Sequence, residues 1–223
     1  MSRSPRICVD GAVYHITCRG NNRQSIFMDD VDYQQYLLLL RRHQEKLKFK
    51  VLCYCLMPNH VHLVLEPAEH ASISRIMGNL STHYSQDFNK RHGRVGHVFQ
   101  GRFYSRPIQE DGDLLAVSRY VHLNPVKARL CQKPGEYPWS SYQAYVSNPI
   151  NPLKLVDSDL VLGLISSPEQ ARRGAYQTLV ESPLDSESGW EPEPLLRRSK
   201  GDSHRSRGRV TVPLPSGGAR SDD

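Results

Sequence analysis

The chain has 223 residues, 38% of them hydrophobic, and a formal net charge of +6; that is enough for one domain of ordinary size with an appendage. Mean hydropathy is −0.55, and no apolar run approaches the roughly 20 residues that span a bilayer, which argues against a membrane protein. Five cysteines, an odd number, follow a start (Met1 to Arg6) without a signal-like apolar stretch, so a cytoplasmic protein with reduced thiols is expected rather than a disulfide framework, and a pI near 9.1 favours a polyanionic partner, nucleic acid first.

Taken in order, Ala12 to Cys18 predicts a strand, rich in β-branched and aromatic residues, that ends in the polar turn from Arg19 to Gln24. Arg19, Asn21, Asn22 and Arg23 in that turn suit phosphate oxygens and base edges, although a plain solvated loop has the same composition. From Asp29 or Asp30, either able to cap, Tyr33, Tyr36, Leu37, Leu40 and Leu47 recur at helical spacing until about Lys48. Residues 49–56 predict a second strand, Met57-Pro58-Asn59 a short turn, and His60 to Glu66 a third strand antiparallel to it. Strand side chains alternate faces, so His60 and His62 point one way while Val61, Leu63 and Leu65 point the other.

A second helix runs from Ser72, a plausible cap, to about His92, with Ile73, Ile76, Leu80, Tyr84 and Phe88 on one face and Arg91-His92-Gly93 closing it. The segment from Val95 to Ile108 ends as a fourth strand and interleaves aromatics with Arg94, Arg102 and Arg106, a pattern of single-strand binders that a core strand with a basic edge would share. Strand, helix, strand, strand, helix, strand is the order of an α+β fold of the ferredoxin-like, split βαβ kind, with an antiparallel sheet, both helices on one face and the other open.

After it, Asp111 or Asp113 can cap a helix carrying Leu114, Val117 and Val121; Pro125 should end or kink it near Asn124, and Tyr120 and Asn124 lie one turn apart on one face, with His122 turned away. A loop and short helix to residue 145 complete a domain over 8–145. Residues 146–181 predict a small helical appendage with Leu160, Leu162, Leu164, Ala175 and Leu179 on its apolar side. From 182 to 223 the chain is rich in Ser, Pro, Gly and basic residues and predicts a disordered tail.

The pair His60 and His62 is the strongest chemical signal, since two neutral imidazoles side by side chelate a metal with one flank open. A closed structural zinc site built from Cys53, Cys55, His60 and His62 is the chemical rival. Tyr84 competes with Tyr120 as a nucleophile, but its place on an apolar stripe reads as packing.

Met57-Pro58-Asn59-His60-Val61-His62, Gly101-Arg102-Phe103 and the run from Tyr120 through Asn124-Pro125-Val126-Lys127 together resemble the HUH single-tyrosine transposases, in their REP-associated tyrosine transposase branch, over about residues 8–145. The resemblance implies an enzyme that cuts and rejoins single-stranded or hairpin DNA through a 5′-phosphotyrosine link. It implies Tyr120 as nucleophile, His60, His62 and Asn124 as ligands of Mg²⁺ or Mn²⁺, Lys127 beside the DNA-binding arginines, and a monomer or homodimer. A domesticated relative that binds hairpins without cutting would carry the same residues.

Overall fold

The computed structural model describes residues 11–69, 71–147, 155–165 and 167–182. The predicted tail beyond Ser182 lies outside these residues. Four strands form, β1 (Val13–Arg19), β2 (Lys50–Met57), β3 (His60–Glu66) and β4 (Tyr104–Ile108), in the order β2-β3-β1-β4 with every neighbour antiparallel. This is the expected ferredoxin-like α+β sheet.

The alternation in β1 and β3 decides which face is covered. Ile16, Val61, Leu63 and Leu65 are fully buried with Tyr36 and Leu40 of α1 (Asp30–Leu47) and with Ile76, Leu80, Tyr84 and Phe88 of α2 (Ile73–His92). Asp29 caps α1 by accepting from Val31 N (3.1 Å) and Asp32 N (3.2 Å), and the helix ends at Lys48 in the left-handed region. Ser72 caps α2 from Ser74 N at 3.1 Å, and Gly93 (φ 59°) ends it as expected. Buried Asp32 accepts from Met28 N (2.8 Å) and from Arg91 Nη1 (2.6 Å), which pins the start of α1 to the end of α2. Tyr84 is buried and donates its hydroxyl to the Ile26 carbonyl, so its role is packing.

The other sheet face is covered by α3 (Asp111–Lys127), through Val117 and Val121 against Leu52, Cys53, Cys55 and Val64. Two expectations about this helix are corrected. Glu110 occupies the cap position, with Asp111 and Asp113 in the first turn, where their charge meets the positive end of the helix dipole. Of the end or kink expected near Asn124, the end is not found there: the helix continues through buried Pro125 to Lys127. A proline this close to the C-terminus removes one main-chain bond, while Ala128 N to Asn124 O and Leu130 N to Pro125 O, both 2.9 Å, still close the last turn.

Three short helices, α4 (Tyr142–Val146), α5 (Asp159–Gly163) and α6 (Arg172–Glu181), back α3. Their buried residues include Tyr142, Tyr145, Val161, Leu162, Tyr176 and Val180, whereas Leu160 and Leu179 stay exposed. Of the predicted apolar side, Leu162 is buried and Leu164 packs against the same cluster, while in α6 Tyr176 and Val180 take the buried positions in place of Leu179. His122, read as incidental, is fully buried: Tyr176 Oη lies 2.8 Å from its Nδ1 and Ser141 Oγ 2.8 Å from its Nε2. Among the described residues no helix is long and apolar enough to cross a membrane.

Leu63 sits at the centre of the sheet's helix-covered face with no exposure. Leu63→Ala should cost about 2–5 kcal/mol, read as a lower urea midpoint at an unchanged m-value.

Candidate active site

The register of the central strands places Thr17 opposite His62 and Arg19 opposite His60, and directly opposed residues share a face. His15, Thr17 and Arg19 therefore line the same α3-covered face as the two histidines. β4 adds Arg106 opposite His15 and Tyr104 opposite Thr17. Above them α3 presents Tyr120, whose ring meets His62 edge-on at 5.5 Å between centroids and His15 at 6.1 Å. Lys127 Nζ lies 5.0 Å from the Tyr120 ring centroid. Asn124 turns its Nδ2 back to donate to the Tyr120 carbonyl at 2.8 Å, and Oδ1 is the acceptor atom of that amide.

Each histidine of the pair is held by one nitrogen. His60 Nδ1 is 2.6 Å from Asn59 Oδ1, an acceptor, so that nitrogen carries the proton and Nε2 keeps its lone pair. His62 Nδ1 lies 3.1 Å from His15 Nε2 and 3.4 Å from Thr17 Oγ1. His62 Nε2 is buried with no hydrogen-bond partner, a state that costs about 1–3 kcal/mol unless something else takes the lone pair.

Burial and then Arg19 push the His60 pKa down to about 4; burial and then Arg106 do the same to His15, also to about 4. His62 is also held well below the ordinary value, by burial first and then by His15, His60 and Arg19. All three imidazoles are thus neutral near pH 7. An orphaned imidazole nitrogen on His62, the free Nε2 of His60 and the Asn124 amide oxygen are the atoms that could hold a divalent cation, and as neutral donors they fit one. Cys53 and Cys55 share this face, as the zinc alternative required, but burial pushes both thiols up and Cys55 Sγ is taken up at 3.6 Å from Met57 Sδ. No group of three or more His, Cys, Asp and Glu able to hold a metal occurs among the described residues, so the closed zinc site is not favoured.

The other candidate residues fall in three places. Arg19, Arg106 and Lys127 surround the histidines and Tyr120. Asn21, Asn22 and Arg23 form a tight 3-10 turn, with Asn22 (φ 50°) and Arg23 (φ 60°) in the left-handed region. That turn docks on the one before β3 through Gly20 N to Asn59 O (2.8 Å), Ile26 N to Pro58 O (2.8 Å) and Asn59 Nδ2 to Arg23 O (3.3 Å). Arg102 stands apart from the histidines and, with Asn21, Phe99 and Phe103, lines a groove of about 890 Å³ along the polar side of α2.

Two residues escaped the sequence reading. His15 alternates with Thr17 and Arg19 along β1, a polar stripe like that of β3, and Asn59 had been read only as a turn residue.

A ferredoxin-like sheet carrying a histidine pair on one face, with a helix bearing Tyr120 laid across it, agrees with the arrangement that the resemblance to the single-tyrosine transposases implies. The chain belongs to the IS200-like transposase family, whose model matches residues 8–124. A Haemophilus influenzae protein named as a candidate REP-associated tyrosine transposase is 24% identical over 162 residues, covering 68% of this chain and 92% of its own. The structure of a REP-associated tyrosine transposase bound to a REP hairpin has the same fold at a TM-score of 0.58 and 21% identity, over 71% of this chain and 93% of that one.

The buried histidines make stability depend on pH. A base whose folded pKa lies below its ordinary 6.5 is neutral in the fold, while the unfolded chain takes up the proton as pH falls. His122, pushed down to about 3 by burial, and His15 and His60, both held to about 4, should therefore cost nothing above about pH 7. From about 6.5 toward 4 each should remove up to about 1.4 kcal/mol per pH unit. In EDTA the urea midpoint is expected to hold from pH 8 to 7 and to fall between 6.5 and 5, above the range where carboxylates titrate; a constant midpoint would contradict their neutral burial.

Proposed function

We propose that the protein is a metal-dependent single-strand DNA transposase that cuts and rejoins DNA at hairpin-associated sites through a 5′-phosphotyrosine intermediate. The observation that carries this reading is the Tyr120 ring laid edge-on against His62 at 5.5 Å, on a face bordered by Arg19, Arg106 and Lys127. Hairpin DNA as substrate is supported by the structural relative, which is bound to a REP hairpin.

Held by His60, His62 and Asn124, Mg²⁺ or Mn²⁺ would neutralise a scissile phosphate and polarise it toward attack. The protein's own residues supply the rest. The Tyr120 phenol oxygen attacks phosphorus; its bond to phosphorus forms as the bond to the 3′-oxygen breaks, the phenolic proton is given up and the leaving oxygen gains one. Because a phenol has an ordinary pKa near 10, it needs help to ionise, and the Lys127 ammonium over its ring favours the anion. Arg19 and Arg106 hold the neighbouring phosphates. The linkage to Tyr120 conserves the phosphodiester energy, so the 3′-hydroxyl of another strand end reverses the step without ATP. Along α2, Phe103 offers a face for an unpaired base and Arg102 a guanidinium for the backbone.

A labelled single-stranded hairpin incubated with the protein and Mn²⁺ should give a covalent adduct on a denaturing gel. Tyr120→Phe and His60→Ala should each abolish the adduct, and Tyr120→Phe should still bind the hairpin; an adduct that survives Tyr120→Phe overturns the assignment. Binding without any adduct from the unaltered protein would make it a non-cleaving hairpin binder. Arg102→Ala should weaken binding similarly for all sequences and lower the slope of log affinity against log salt by about one phosphate contact, measured by titration at several salt concentrations.

A further inference from the structure

The imidazoles of His15 and His62 are related in an informative way. Their planes are only 8° apart and their centroids 5.3 Å apart, while His15 Nε2 and His62 Nδ1 are 3.1 Å apart. Parallel rings with so wide a centroid spacing and so short a nitrogen contact lie side by side, each nitrogen aimed at the other along the ring plane. That is the geometry of an N–H···N hydrogen bond, and it raises the question of which nitrogen carries the proton.

The role proposed for His62 answers it: a metal on the buried Nε2, which has no hydrogen-bond partner, needs that atom's lone pair, so the proton sits on Nδ1. A proton on His62 Nδ1 has two acceptors, His15 Nε2 and, at 3.4 Å, Thr17 Oγ1. His60 follows the same rule on the neighbouring position, with its Nδ1 donating to Asn59 Oδ1 at 2.6 Å. Both imidazoles of the pair are therefore gripped at Nδ1 and leave Nε2 for the α3-covered face.

We propose that His15 is a positioning residue for His62: by accepting the His62 Nδ1–H it fixes the tautomer and ring orientation that turn the Nε2 lone pair toward a metal. The proposal rests on the metal-centre reading of His60 and His62 given above, and adds to it a partner on a different strand, 47 positions earlier in the chain. His15 has a second consequence. Because the two rings are nearly parallel, Tyr120 meets both at 87°, so the pair forms one platform against which the nucleophile's ring rests. Partners beyond the ligands of this kind fix ligand direction in metal sites, and their loss costs about 10–100-fold in metal affinity.

The tautomer is read without any metal, in long-range ¹H–¹⁵N spectra of the metal-free, ¹⁵N-labelled protein. His62 is expected as the Nδ1–H form, and finding it as the Nε2–H form in the unaltered protein overturns the proposal whether or not any variant folds. His15→Phe keeps a flat ring but offers no acceptor; it should give a mixture of His62 tautomers and about 10–100-fold weaker Mn²⁺ binding, followed by the electron paramagnetic resonance signal of free Mn²⁺. His15→Gln, whose amide oxygen can accept, should restore most of both, and a thermal melt of each variant checks that it is folded. A folded His15→Phe with unchanged tautomer and unchanged Mn²⁺ affinity sinks the idea. The metal-centre reading fails separately: Mn²⁺ binding that is unaffected by His62→Ala, alongside an Nδ1–H tautomer that depends on His15, would remove the metal and leave the positioning role standing.

Discussion

Everything at this site depends on the pairing of β3 with β1, which sets His62 beside Thr17 and His60 beside Arg19. Strand side chains alternate, so a slip of one residue would carry Val61 and Leu63 to the α3-covered face and both histidines beneath α1 and α2. Two features oppose the slip. One is the burial of Ile16, Val61, Leu63 and Leu65 against those helices, none of them accessible to water. The other is the join at the strand ends, where Gly20 N bonds to the Asn59 carbonyl and a Cβ on Gly20 would come within 2.2 Å of the Gln24 carbonyl oxygen. Only glycine lets the chain fold back this tightly against the turn that leads into His60.

The face opposite α1 and α2 is covered by α3, which is apolar in the middle and carries Tyr120 at one edge. Val117 and Val121 enter the apolar cluster with Leu52, Cys53 and Val64, while Tyr120 reaches the histidines. In a helix each residue turns about 100° from the last, so a modest roll would take the phenol off its platform. His122 resists that roll through Tyr176 of α6 and Ser141, and Ser141 is in turn bonded to the β2 main chain at Tyr54. α6 is itself fixed, with Arg173 Nη1 donating to the carbonyls of Ala144 and Ser147. The segment after residue 146 therefore acts on the site at second hand, by fixing the rotation of the helix that carries the tyrosine.

How much of this was legible in the sequence differs element by element. β3 declared its two faces because its apolar and imidazole positions alternate without interruption, and α1 and α2 declared their ends because Asp29 and Ser72 are good caps and Gly93 accepts the left-handed region. Tyr84 could be set aside from the apolar stripe around it. His15 could not be weighed, although its stripe with Thr17 and Arg19 was in view: a single strand histidine is ordinary, and what distinguishes this one is a partner 47 residues away that only the register supplies. His122 was equally opaque, its partners being 19 and 54 residues away. Pro125 allowed either an end or a kink, because proline gives up only the one bond to the carbonyl four residues before it, and the helix here runs on for two residues past it. In α5, five residues long, the spacing of Leu160, Val161, Leu162 and Leu164 fits more than one buried side.

The electrostatics of the face follow one pattern. Imidazole nitrogens and an amide oxygen are the available ligand atoms, and the acceptors behind the imidazoles, Asn59 Oδ1 and His15 Nε2, are uncharged as well. A carboxylate in either layer would hold a cation more strongly, but it would also repel the phosphate that the cation must share. With neutral groups at the centre and Arg19, Arg106 and Lys127 around them, the net field stays attractive to a DNA backbone. The same choice lowers the cost of burial at neutral pH, since the imidazoles enter uncharged and His60 and His62 do so with Nδ1 already bonded. The His62 Nε2 stays unsatisfied in the fold alone, and a cation bound as proposed would complete it.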